Sequence, residues 1–157
     1  MTEFILGNAL IQCVGGITTI AQTIYGLIGY IGSESKTPIY EIIRDMDIEF
    51  KVKILESLLK DINQEHKNSH TIKLCLNELE CLLHKIATEL QSIKGKIKYN
   101  NSLWVTYFRT YDFKDSAETL KQFNTTLGVR SDMLFNILKI DNKLMLEKSI
   151  MLRSMIK

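Results

Sequence analysis

His66 and His70 stand four residues apart beside Glu65, a spacing at which two imidazoles on one helix face could share a metal ion. No third ligand lies nearby, and the run "NQEHKNSH" that carries them is a polar junction, so they read as solvated loop histidines. Cys81 and His84 would share a helix face, but beside Leu79 and Leu83 they read as packing at the edge of a core. Asp45, Asp47 and Glu49 alternate along a helix, so the three carboxylates cannot converge on one ion. Nucleophile-elbow, P-loop and dinucleotide-binding patterns are absent, and with them the loops that aim a serine or cradle a phosphate. The expectation is a protein that is not an enzyme, with no metal, no cofactor and no small-molecule substrate. Lys94, Lys96 and Lys98, next to Tyr99 and Trp104, could contact phosphates with an aromatic ring available for stacking. Alternating lysines at a helix end equally suit solvent and the helix dipole, so nucleic acid enters only as the alternative.

These residues sit among segments of helical period. From Phe4 to Ser33 the chain carries no charge, although 24% of all residues are charged. Within that run Leu6, Leu10, Ile17, Ile20, Ile24, Leu27 and Ile31 recur mostly at steps of three, four or seven, while Asn8, Gln12, Thr19, Gln22 and Thr23 fall on the other side. Such a run is long enough to cross a bilayer. Its amides, six glycines and lack of basic flanks favour instead a helix sequestered in a bundle, with these seven residues as a partner or membrane face if it is ever displaced.

A second helix is expected from Pro38, with Thr37 as its cap, to Ile62, its buried stripe including Ile39, Ile42, Ile43, Phe50, Leu55 and Leu59. The third has the strictest pattern: Ile72, Leu76, Leu79, Leu83, Ile86, Leu90, Ile93 and Ile97 alternate steps of four and three, a seam for helices crossing at about 20°. After an aromatic cluster around Trp104, Tyr107 and Phe108, a fourth helix carries Leu120, Phe123, Leu127, Leu134 and Leu138, with Gly128 either kinking or breaking it. The tail from 142 to 157 is expected as a short extra helix docked on the bundle. The predicted fold is all-α, a four-helix bundle (about 4–140) plus this tail, forming one domain over 1–157.

The totals agree with that class. A single proline in 157 residues leaves few breakers for a many-turned β fold. Twenty basic against 18 acidic residues give a net charge of +2, too balanced to single out a polyanion as partner. Three cysteines, Cys13, Cys75 and Cys81, fit buried free thiols in a reducing compartment. The opening Met-Thr-Glu offers no signal peptide or myristoylation glycine, and no cysteine near Lys157 awaits a prenyl group. The chain is therefore expected to be intracellular and cytoplasmic, with peripheral membrane contact at most.

The order of the segments "GNALIQCVGGITTIAQTIYGLIGYIGSESKTPIYEIIRDM", "ILESLLKDI" and "SLWVTYFRTYDFKDSAETLKQFNTTL" resembles fungal HeLo-like domains, whose broader group includes the four-helix bundle of the mixed-lineage kinase-like pseudokinase. The resemblance spans about residues 4–138. It implies a signalling module of the cell-death or incompatibility type, working by protein–protein association, with a first helix that engages membranes once an attached domain triggers it. The sequence departs from that pattern in carrying no nucleotide-switch, kinase or amyloid-forming segment. A stand-alone structural or interaction protein, self-associating or nucleic-acid-bound, is the competing expectation.

Overall fold

In the computed structural model residues 2–62, 66, 69–103 and 111–156 are described, with side chains from residue 10 onward. Glu65, Trp104, Tyr107, Phe108 and the side chains of Leu6 and Asn8 lie outside the described residues. The fold is all-α, with helices α1 (Thr2–Glu34), α2 (Ile39–Asp45), α3 (Ile48–Lys60), α4 (His70–Ser102) and α5 (Lys114–Met155) and no strand among the described residues. They make a four-helix bundle in which α2 and α3 together occupy one position. Helix α4 lies between α1 and α5, and α3 bridges α1 and α5 from the other side.

All eight residues of the 4-3 seam on α4 are buried. They face α1, where Leu10, Ile17, Ile20, Ile24, Leu27 and Ile31 are buried too. Each such side chain contributes about 1.5–3 kcal/mol of burial, which is why this stripe of α1 packs into the bundle. Small residues bring the two helices close: the Glu80 carboxylate lies so near Gly16 that an added Cβ would sit 2.8 Å from its carboxyl carbon.

The expected second helix is two. Asp47 adopts φ 55°, ψ 30°, a left-handed conformation that aspartate tolerates better than most residues. That single residue shifts the helical phase, so Ile39 and Ile43 are buried before it and Ile48, Val52, Leu55 and Leu59 after it. Phe50, expected in the buried stripe, is exposed for the same reason, and Ile42, also expected there, is exposed because the short α2 buries only the face of Ile39 and Ile43. Thr37 does not cap: Pro38 occupies the N-cap position, and no side chain bonds the first turn.

The fourth helix and the tail are also corrected. Helix α5 runs unbroken for 42 residues through Gly128, about 63 Å at 1.5 Å per residue. Nothing lies within 4 Å of a Cβ built on Gly128, so no packing contact forces a bend there. The tail is helical as expected, but it continues α5 outward instead of folding back as a separate docked helix.

Polar side chains pin the helix ends. Asn101 Nδ2 donates to the Glu34 carbonyl at 3.0 Å, satisfying one of the free carbonyls that close α1. Asn100 both donates to Tyr111 O (3.0 Å) and accepts from Tyr111 N (2.9 Å), while the Tyr99 and Tyr111 rings meet edge-on at 5.1 Å.

Candidate interaction surface

The residues with chemical potential are dispersed. His66 is fully buried, correcting the expectation of a solvated loop histidine. Its Nε2 lies 3.1 Å from Asn142 Oδ1 and 3.4 Å from Asp141 Oδ2, so the histidine fastens the junction before α4 to α5. His70 is the exposed first residue of α4. Among the described residues no group of three or more His, Cys, Asp or Glu side chains is arranged to hold a metal ion. Asp45 pairs with Arg44 at 3.6 Å and Glu49 with Lys53 at 2.7 Å, each on the outside of its own helix.

The thiols divide by position. Cys13 is buried and donates to Asn77 Oδ1 at 2.7 Å; burial, then the Glu80 charge, push its pKa up, against a smaller opposing pull from Lys73. Cys75 is half-buried and is raised by burial, with Arg130 opposing. Cys81 and His84 are exposed, correcting the expectation of edge-of-core packing, and His84 Nε2 lies 3.9 Å from Glu80 Oε1.

Lys94, Lys96 and Lys98 do not form one patch. Lys94 and Lys98, one turn apart, stand over the Tyr30 ring at 4.7 and 5.8 Å. Lys96, about 200° around the helix from each, donates to the buried Ser116 hydroxyl at 3.1 Å. The lysines thus tie α4 to α1 on one side and to α5 on the other.

Sequence reasoning passed over the polar links inside the bundle. Tyr25 on α1 donates to Glu56 Oε2 on α3 at 2.5 Å. Asn124 on α5 is buried, with Lys51 Nζ donating to its Oδ1 at 3.0 Å and its own Nδ2 donating to Met46 O at 2.9 Å. A signal for Asn124 existed: it falls four residues after Leu120 and three before Leu127, a polar residue in a core rhythm. Between α2 and the start of α5 lies a recess of about 620 Å³, walled mainly by apolar atoms of residues such as Ile39, Met46 and Phe113.

The largest unexplained feature is the outer part of α5. After Leu138 no described residue is buried, yet Ile140, Leu144, Leu146, Ile150, Met151, Leu152, Met155 and Ile156 are large, apolar and at least 49% exposed. The outward apolar face begins earlier, with Val129 and Met133 exposed alongside the bundle. Contiguous apolar exposure on this scale marks an interaction site more often than single exposed leucines do.

No protein-family model and no solved structure matches the chain. It is similar to uncharacterized protein L717 of Acanthamoeba polyphaga mimivirus, 26% identical over 151 residues, covering 79% of this chain and 73% of the viral protein.

Proposed function

We propose that this chain works by protein–protein association, the bundle serving as a rigid base that presents the outer half of α5 to a partner. The observation that supports this reading is the run of exposed apolar side chains from Ile140 to Ile156, on a helix that outreaches the bundle packed around its first half. A helix turned toward solvent is expected to place polar residues there, and the first half of α5 largely does.

The membrane engagement implied by the HeLo-like resemblance is conditional in this reading. The stretch Leu10–Glu34 is long and apolar enough to span a bilayer, but its stripe from Leu10 to Ile31 is core. Removing seven buried leucines and isoleucines, at about 1.5–3 kcal/mol each, matches or exceeds the whole folding free energy of a domain. Membrane entry by α1 is therefore equivalent to dismantling the bundle, whereas α5 is already exposed.

The test is a photo-crosslinking amino acid placed at Ile150, and in a second variant at the exposed Thr19 on α1, in cells that produce the protein. Protein adducts from position 150 and none from position 19 are expected. Adducts from neither, or from position 19 alone, contradict the assignment of α5 as the association surface.

A further inference from the structure

We infer that the occupant of the outer α5 face is a second copy of this chain, bound antiparallel through the same helix. The inference rests on the association reading above and names its partner. Met133, Ile137, Ile140, Leu144 and Met151 follow at steps of four, three, four and seven, the rhythm of a helix–helix seam. Leu134 and Leu138 are buried about a third of a turn away, and Ile137, on the core-facing edge of the seam, is partly buried against the bundle. The rest of the seam faces away from the core, so a second helix can lie along it, about 33 Å from Met133 to Met155, without displacing the bundle. The seam position skipped between Leu144 and Met151 is filled by Glu147.

The charge order selects both partner and direction. In an antiparallel pair centred near Met145, Glu147 of each copy comes level with Lys143 of the other, giving two symmetric ion pairs in one isologous interface. A parallel pair sets Glu147 beside Glu147 and brings Lys143 against Lys148 of the other copy, the flanking positions that meet in a parallel coil. Lys143 also stands four residues before Glu147 on the same helix, within reach of it in the monomer; the antiparallel self-pair adds the cation of the other copy, whereas a parallel pair sets the acid against its like.

Sedimentation equilibrium of the full chain against concentration tests this, with circular dichroism confirming that each variant is folded. Wild type is expected to approach twice the 18.1 kDa of the chain. Lys143→Glu and Glu147→Lys are each expected to weaken self-association about tenfold or more, and an equimolar mixture of the two to restore it, because unlike charges then face one another at both positions. Lys143→Glu also decides direction: in a parallel pair it would meet Lys148 and tighten the dimer. A wild type that is monomeric up to hundreds of micromolar, a dimer indifferent to both charge changes, or a dimer tightened by Lys143→Glu overturns the inference. Monomeric wild type whose position-150 adducts contain other proteins removes the self-pair and leaves association through α5 standing; absence of both removes both.

Discussion

Asn124 donates its side-chain amide to the carbonyl of Met46 at 2.9 Å, so a residue of α5 closes the break between α2 and α3. The same amide accepts from Lys51, and the left-handed Asp47 lies between the two partners in sequence. Replacing Asn124 by alanine leaves a carbonyl and an ammonium without their bonds inside the bundle, a loss of about 1–3 kcal/mol. Urea unfolding of Asn124→Ala measures it; a change below about 0.5 kcal/mol, typical of surface substitutions, would show that the contact does not hold the break. Because this amide is buried and bonded, Asn124 is also expected to stay unmodified although Thr126 completes a glycosylation sequon.

The α4 seam gives a sharper contrast. Leu83→Ala is expected to cost about 2–5 kcal/mol as a fully buried leucine, while Leu74→Ala on the same helix, 57% exposed, should stay within about 0.5 kcal/mol. Equal losses at the two positions would contradict the orientation of α4.

That orientation was fully legible in the sequence, because eight apolar residues at alternating steps of four and three permit one facing direction. The charge-free α1 was legible for a related reason: its bulky residues keep one stripe while its amides and threonines keep another. The break at Asp47 was not. It has neither glycine nor proline to announce it, and its trace is the five-residue step from Ile43 to Ile48, which a continuous stripe through Ile42 and Phe50 conceals. The outer part of α5 was misjudged for the opposite reason. Composition said that its leucines and methionines must be covered, and among the described residues none after Leu138 is buried. His66 was hidden by its polar surroundings in sequence, since its partners Asp141 and Asn142 lie far along the chain.

Thiol reactivity should follow burial. Cys13 and Cys75 have raised pKa values and are buried and half-buried, whereas Cys81 is exposed, and the thiolate is the reacting form. With a maleimide near neutral pH, peptide mapping should find Cys81 labelled first and the other two only slowly until denaturant is added. Cys13 labelling at the rate of Cys81 would contradict the packing of α1 on α4.

Alkaline pH probes the contact of α1 with α3. Burial first, then the hydrogen bond and charge of Glu56, hold the Tyr25 phenol well above its ordinary value. A folded-state pKa above the unfolded value means that the contribution is complete below about pH 10 and is lost as pH rises toward the folded value. Unfolding free energy should therefore fall more steeply above pH 10 in wild type than in Tyr25→Phe. Parallel declines in the two proteins would remove Tyr25 as a source of that loss.

The central claim is a division of labour between two apolar helices: α1 is core, and the outer half of α5 is the working surface. Amide hydrogen exchange followed by mass spectrometry, at low and high protein concentration and with and without liposomes, measures both halves in one experiment. Peptides from Leu10 to Ile31 are expected to exchange only through global unfolding in every condition, whereas peptides from Ile140 to Ile156 exchange quickly when dilute and slow down as concentration rises. Exchange in α1 as fast as in the α5 tail, or protection of α1 that arises only with liposomes, would contradict the account.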